Sequence, residues 1–259
     1  MSEDKNQIQT DEKIQANTRQ DNAEYVGPQA KKITAANQWV MIGFRIFKRD
    51  AGAWVITALL WLVISIGLQL VPLLGFIAAT LLFYVWQGGI MKGCQAVYEG
   101  KPFDVHYLFA AFKDNLKPLI QLSLLYAVIS SLVMFAFLGD TYTEIVNGDE
   151  ALSNPNLVVT QLLLGMCFAL LLLTPLFMAV WFAPALIVFH NMPVLTAMKE
   201  SFVGCFKNTL PFLLFGFWLV ALYLIVMLSF GLAVFVAIPI TFASSYAAYR
   251  EIFLAEVDE

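Results

Sequence analysis

The sequence predicts an all-α, polytopic helical membrane protein, with six transmembrane helices in three hairpins, each preceded by a cytoplasmic interfacial amphipathic helix. Composition is the first observation behind this class. The chain is 60% hydrophobic and 13% charged, whereas soluble domains carry roughly a quarter charged residues. The second is that its apolar residues gather in runs of roughly 17 to 25, the length that crosses a hydrocarbon core of about 30 Å.

Six apolar runs define the predicted spans. They are Ala53 to Leu70, Leu73 to Met91, Leu119 to Leu138, Leu157 to about Trp181, Phe212 to Leu228 and Gly231 to Tyr246. The fourth apolar stretch continues to His190, which is too long for a straight helix across the bilayer. Because Pro175 and Pro184 lie inside it, we expect a kink or an exit into the cytoplasmic interface.

The distribution of basic residues predicts the orientation. All 15 Lys and Arg residues fall in segments that the six spans place on one side, while the segment Gly139 to Asn156 carries four acids and no base. Short loops rich in Lys and Arg stay in the cytoplasm, so both termini are predicted to be cytoplasmic. We expect residues 1–32 to be a disordered cytoplasmic tail, 33–253 the membrane domain and 254–259 a short acidic tail.

A threefold repeat precedes the hairpins. Segments ending in Phe-Lys occur at Phe44 to Lys48, Phe109 to Lys113 and Phe202 to Lys207, and each is followed by a helix breaker, Gly52, Pro118 and Pro211 in turn. We expect interfacial helices here whose apolar faces contact acyl chains and whose chains turn at the breakers. Asp104 is a plausible N-cap of the second helix and Pro193 suits the first turn of the third. The alternative is that Phe is merely frequent and that any multi-span protein needs bases at its cytoplasmic helix ends.

The candidate binding residues are seven bases of these helices, predicted to contact anionic phospholipid headgroups. They are Arg45, Lys48, Arg49, Lys113, Lys117, Lys199 and Lys207. The alternative is that they only anchor the topology.

The sequence gives no support for an ion path, a metal site, a phosphate-binding loop or a catalytic nucleophile. The predicted spans contain no charged residue, and His106 and His190 lack a carboxylate or thiol at ligand spacing. Phosphate-binding loops and nucleophile motifs are absent, and Cys94, Cys167 and Cys205 imply no structural disulfide. We therefore predict no enzymatic activity, no cofactor, no metal and no nucleic-acid partner.

Two parts of the chain resemble a family of proteobacterial inner-membrane proteins of unknown function. They run from Gly43 to Trp54 and from Trp181 to Phe212, and the closing Tyr246 to Phe253 is similar as well. A looser similarity is to the membrane domain of bacterial glycerophosphodiester phosphodiesterases, whose catalytic domain is absent here. The resemblance implies an all-helical fold in the bacterial inner membrane and transfers no activity.

Two functions remain open at this point. The first is a non-enzymatic inner-membrane protein that organises anionic lipid or binds a membrane partner. The second is a transporter or permease-like protein for a small neutral or lipophilic solute, suggested by Pro175, Pro184 and Pro239. A water-accessible cavity reaching Thr174, Gln161 or Thr241 would favour the second.

Overall fold

Helices make up nearly all of the described chain. The structure, a computed structural model, describes residues 23–147 and 155–256. Its elements are β1 (Ala23–Tyr25), α1 (Ala35–Arg49), α2 (Ala51–Gln69), α3 (Leu74–Tyr98), a 3₁₀ helix (Val105–Phe109), α4 (Ala111–Asp114), α5 (Leu116–Asn147), α6 (Pro155–Trp181), α7 (Ala183–His190), α8 (Val194–Lys207), α9 (Thr209–Leu228), α10 (Val234–Phe253) and β2 (Leu254–Glu256). The prediction of a helical membrane protein is confirmed, with one small two-stranded sheet added.

Five helical segments within the described residues are long and apolar enough to cross a membrane. They are Ala51–Gln69, Leu74–Tyr98, Leu116–Gly139, Val158–His190 and Thr209–Leu228. These segments match the first five predicted spans, so the count of six and the layout in three hairpins are not confirmed.

The sixth predicted span coincides with α10, which is a buried helix of mixed polarity. It carries Ser244, Ser245, Arg250 and Glu251, and residues 243–249 are buried throughout. Helices α1, α2, α3 and α9 pack around it. A helix enclosed by other helices does not need a uniformly apolar surface, which explains why α10 differs in composition from the five apolar segments.

Three junctions between a short and a long helix share one geometry. At each junction a buried or partly buried Asx residue ends the short helix, and its backbone carbonyl accepts the first hydrogen bond of the long helix. The bonds are Trp54 N to Asp50 O at 3.1 Å, Leu119 N to Asn115 O at 3.2 Å and Phe212 N to Asn208 O at 2.9 Å. The three Asx residues adopt φ angles of −136°, −119° and −114°.

The turns therefore come two or three residues before the predicted breakers. Gly52, Pro118 and Pro211 lie inside the first turns of α2, α5 and α9. A helix's first N–H groups have no partner within the helix, so proline is tolerated there and does not break it.

Much of the apolar surface of two predicted interfacial helices is covered by protein. In α1, Trp39, Ile46 and Phe47 are buried, and α1 packs on α10 and α9. In α8, Met198 and Cys205 are likewise buried. Leu195, which belongs to the predicted apolar face of α8, is 71% exposed. Protein therefore covers these faces only in part, and contact of the remainder with acyl chains stays a prediction.

The second predicted interfacial helix is broken into two pieces, a 3₁₀ helix and the single turn α4. Asp104 caps the first piece as predicted, since its Oδ1 accepts a hydrogen bond from the backbone N of His106 at 2.9 Å. This bond lowers the pKa of the Asp104 carboxyl. Pro193, by contrast, lies one position before the first turn of α8 and not within it.

The long fourth stretch is interrupted at Phe182, between α6 and α7, and a side chain from α8 completes the break. The hydroxyl of Ser201 donates to Met178 O at 2.7 Å and accepts from Phe182 N at 2.9 Å. In a continuous helix Phe182 N would donate to Met178 O directly, so Ser201 is inserted into that hydrogen bond. Pro184 at the start of α7 adds to the interruption, and the predicted kink is confirmed.

Segment boundaries elsewhere differ from the prediction. Helix α5 continues to Asn147, well into the predicted outside loop, whereas Asp149 and Glu150 lie outside the described residues. Residues 23–32, predicted as disordered tail, lie against the membrane domain.

Backbone pairing holds this N-terminal segment in place. Strand β1 pairs antiparallel with β2, and Asn208 binds both Gln29 O and Lys31 N, at 2.8 and 2.7 Å. The tail prediction is therefore wrong for residues 23–32, while residues 1–22 lie outside the described part.

Candidate anion-binding site

A cavity of about 490 Å³ lies between α3, α7, α10 and the start of β2. We call it the basic cavity, because its lining includes Lys92, Lys101 and Arg250 against a single carboxylate, that of Glu99. With its histidine neutral, the lining carries a net positive charge. It lies at the C-terminal ends of α3, α7 and α10.

Arg250 is the cation of this cavity without an acidic partner. Its guanidinium lies over the ring of Tyr98, 4.1 Å from the centroid, and Nη1 donates to Tyr246 Oη at 3.5 Å. It takes part in none of the ion pairs found among the described residues. A partly buried guanidinium held between phenol rings keeps its charge and most of its five N–H donors available to an anion.

Both lysines of the basic cavity have partners within the protein. Lys92 Nζ donates to Ala110 O at 3.2 Å and lies 3.9 Å from Asp114 Oδ2. Lys101 Nζ pairs with Glu99 Oε2 at 2.9 Å. Because each lysine charge is offset by a nearby carboxylate, the positive potential of the cavity comes mainly from Arg250.

A histidine and two tyrosines close the side of the cavity nearest the N-terminal segment. His190 Nε2 and Tyr249 Oη are 2.6 Å apart, and the ring of Tyr25 lies 4.8 Å from that of His190. Tyr25 Oη donates to Glu200 at 3.2 Å. Burial, with the charge of Glu200 second, raises the pKa of Tyr25 to about 12, so this hydroxyl is a neutral donor at physiological pH.

The described residues show little that would support nucleophilic or metal-dependent chemistry. Burial raises the pKa of the Cys205 thiol to about 12, which keeps it protonated and unreactive. No group of three or more His, Cys, Asp or Glu residues that could hold a metal is found in residues 23–147 and 155–256. The positive charge of the basic cavity is suited to holding an anion.

The chain is similar to a probable inner membrane protein of Burkholderia thailandensis. The two sequences are 30% identical over 210 residues, which cover 75% of each. The chain belongs to this inner-membrane protein family. No family model and no solved structure match it, and the looser similarity to the phosphodiesterase membrane domain is not shown.

The seven predicted binding residues are all exposed in this inner-membrane protein, and none lines the basic cavity. Arg45 and Arg49 instead line a neighbouring crevice of about 290 Å³ that also includes Tyr98. Arg49 donates to Val97 O at 3.0 Å and to Gly100 O. It thus binds carbonyls at the C-terminal end of α3, which is a structural role.

Of the other predicted basic residues, some contact another group of the protein and some are simply exposed at the surface. Lys207 Nζ donates to Pro28 O at 3.0 Å, and Lys48 Nζ lies 5.1 Å from the ring centroid of Phe44. Lys113 and Lys117 are exposed on either side of the junction between α4 and α5, and Lys199 is exposed on α8. The structure does not gather the seven into one site.

Sequence reasoning missed Arg250 and Lys92 as site residues because it used them only to assign topology. Helix α3 continues seven residues beyond the predicted end at Met91. Lys92, Gln95 and Glu99 then fall at i, i+3 and i+7, a single helical face. That polar face, following directly on an apolar span, is the signal that would have found the site.

The residues named for a transport path are not brought together. Thr174 is exposed on α6 and donates to Leu170 O at 2.8 Å. Thr241 lines a separate cavity of about 230 Å³ between α2, α3, α9 and α10, to which Thr174 and Gln161 do not contribute. The geometry does not favour the transport hypothesis.

Proposed function

We propose that this chain is a non-enzymatic inner-membrane protein that binds an anionic phospholipid headgroup in the basic cavity. The observation that carries the proposal is the guanidinium of Arg250, partly buried and without an ion-pair partner in the described chain. Placing a charge away from water costs free energy unless a counter-charge is supplied. A bound phosphate would supply it.

The shape and donor set of the cavity favour a phosphodiester. Arginine presents parallel N–H donors that match phosphate oxygens, and Lys92 adds a second cation on the facing helix. The volume of about 490 Å³ lies within the usual range of small-molecule sites, roughly 300 to 1,000 Å³. Tyr107, which also lines the cavity, offers a hydroxyl to the glycerol part of a headgroup.

We further propose that the end of the helix bundle holding the basic cavity faces the cytoplasm. In this arrangement α10 is the sixth crossing helix, and both termini are cytoplasmic. The asymmetric distribution of Lys and Arg supports the orientation. Pairing of β1 with β2 supports the even number of crossings, because strands joined by backbone hydrogen bonds lie on the same side of a membrane.

The exposed bases have a secondary role in this proposal. Lys113, Lys117 and Lys199 would meet headgroups at the surface of the leaflet, each contributing up to about 1 kcal/mol. They attract anionic lipid in general, whereas Arg250 selects one bound molecule. A membrane-protein partner stays a separate prediction.

The test is lipid retention measured by native mass spectrometry. Protein is released from nanodiscs that contain equal amounts of phosphatidylglycerol and phosphatidylcholine. We expect the unaltered chain to retain one phosphatidylglycerol and Arg250→Gln to retain it about tenfold less, since a hydrogen bond to a charged group contributes roughly 1.5 kcal/mol or more. Lys199→Gln, which removes an equal charge from the exposed surface, is the matched control and should retain the lipid.

Two results would contradict the proposal. Equal retention by Arg250→Gln and the unaltered chain, with equal unfolding midpoints, would exclude the basic cavity as the lipid site. Displacement of the lipid by millimolar inorganic phosphate would identify the ligand as a soluble phosphate compound and not a headgroup.

A further inference from the structure

A second cavity, which we call the lysine crevice, lies beside the basic cavity. It occupies about 270 Å³ between α1, the C-terminal end of α3, α10 and β2. Arg250 and Leu254 line both cavities, whereas Lys31 lines the crevice and not the basic cavity. Because the two cavities share lining residues, groups of a ligand bound in them would be neighbours.

Arg250 lies on α10 at the boundary between the faces that line the two cavities. At 100° per residue, Tyr246 and Tyr249 fall to one side of Arg250 around the helix axis, and both line the basic cavity. Ala247 and Glu251 fall to the other side, and both line the lysine crevice. A guanidinium carries five N–H donors in one plane, so Arg250 can donate to a ligand group in each cavity.

Lys31 gives the lysine crevice a cation of its own. Its side chain is partly exposed, and its backbone N donates to Asn208 Oδ1 at 2.7 Å, which fixes the segment that carries it. None of the ion pairs found in residues 23–147 and 155–256 includes Lys31. Lys31 therefore brings to the crevice a positive charge that no ion pair in this part of the chain offsets.

The lining of the crevice also includes one carboxylate, that of Glu251. Its Oε2 accepts a hydrogen bond at 2.6 Å from Nε1 of Trp39, a fully buried residue of α1. Lys31 and Arg250 outnumber this carboxylate, so the lining carries a net positive charge. Gln38 adds an amide group that can donate two further hydrogen bonds. The crevice is thus suited to a second anionic group beside the one in the basic cavity.

We propose that the two cavities together bind a phospholipid with two phosphates, one in the basic cavity and the other in the lysine crevice. This inference rests on the proposed function and names the class of lipid that the site selects. In diphosphatidylglycerol a single glycerol joins the two phosphates, which makes them neighbours as the two cavities are. Lysine and arginine form strong, charge-assisted hydrogen bonds with phosphate oxygens. A lipid with one phosphate would occupy the basic cavity and leave Lys31 without a counter-charge.

The experiment measures the choice between two lipids by native mass spectrometry. The full chain is released from phosphatidylcholine nanodiscs that also contain diphosphatidylglycerol and phosphatidylglycerol with the same acyl chains. We expect the unaltered chain to retain diphosphatidylglycerol about tenfold more than phosphatidylglycerol, since the second phosphate gains at least one hydrogen bond to a charged group. Lys31→Gln should lose this preference and still retain phosphatidylglycerol through Arg250.

Two variants serve as controls for charge and folding. Lys32→Gln removes an equal charge from the adjacent residue, which is exposed and does not line the crevice, so it should keep the preference. Lys31→Arg keeps the charge at the crevice and should keep the preference as well. Together they separate loss of a phosphate contact from a change in net charge or in folding.

Equal retention of the two lipids by the unaltered chain would overturn the inference, and so would a preference that survives in Lys31→Gln. Displacement of diphosphatidylglycerol by millimolar inorganic pyrophosphate would also overturn it, because the ligand would then be a soluble diphosphate. The proposed function fails instead if Arg250→Gln retains phosphatidylglycerol as well as the unaltered chain does. The two failures are therefore distinguishable.

Discussion

Replacing Ser201 by alanine removes one hydroxyl that completes the break between α6 and α7. Ser201 is fully buried, and its Oγ bonds to Met178 O at 2.7 Å and Phe182 N at 2.9 Å. In Ser201→Ala both Met178 O and Phe182 N lose the hydroxyl that they bond to. Each unsatisfied buried backbone group costs about 1 to 3 kcal/mol, so we expect a loss of roughly 3 kcal/mol in the free energy of unfolding.

Ser123→Ala is the matched control for this loss. Ser123 is 1% exposed, and its Oγ donates to Leu119 O in its own helix at 3.0 Å. That carbonyl keeps the backbone bond of a regular helix when the hydroxyl is removed. We therefore expect Ser123→Ala to lose less than about 1 kcal/mol.

Equilibrium unfolding in mixed dodecylmaltoside and sodium dodecyl sulfate micelles, followed by tryptophan fluorescence, measures both variants. A difference of about 2 kcal/mol between them corresponds to a factor of roughly 30 in the unfolding equilibrium. If Ser201→Ala were no less stable than Ser123→Ala, helix α6 would have closed the direct bond from Phe182 N to Met178 O. The reasoning that α7 is held at its angle by Ser201 would then be refuted.

Two further predictions concern the packing of α1 and the N-terminal segment. Gly43→Ala should destabilise the chain by about 2 to 3 kcal/mol, because a Cβ there would lie 2.6 Å from the backbone N of Ser244. Gly216→Ala, with nothing within 4 Å of the new Cβ, should show no comparable loss in the same unfolding measurement; equal losses would contradict the clash. In the folded protein the pKa of Tyr25 is raised from 10.0 to about 12. The contribution of this tyrosine to the free energy of unfolding is therefore complete below pH 10 and is lost as the pH rises to about 12. Tyr25→Phe should remove that part of the alkaline dependence in a pH series of unfolding midpoints, and an unchanged pH dependence would refute the raised pKa of Tyr25.

Local sequence signals were sufficient for the apolar spans and the kink. An uninterrupted apolar run has few ways to fold in a bilayer, because every backbone group must be bonded within the segment. Pro184 similarly predicts an interruption from local chemistry, whereas Pro175 lies inside α6 without breaking it. The first five spans and the break at Phe182 were predictable for these reasons.

Features decided by neighbours were mispredicted or missed. Gly52 and Pro118 look like turn residues, yet the turns occur at Asp50 and Asn115, where a backbone carbonyl begins the next helix. Amphipathic periodicity predicted an apolar face for α8 but could not tell how much of that face is covered by protein.

By itself the sequence determined the membrane environment, the apolar spans and a basic bias at one end, since each depends on residue type and local order. Only the tertiary structure decided that α10 is enclosed by other helices, that residues 23–32 are bound beside β2, and that Arg250 lies between two phenol rings without a carboxylate. These features depend on which segments meet in space. A buried cation becomes a functional signal only when the groups around it are known.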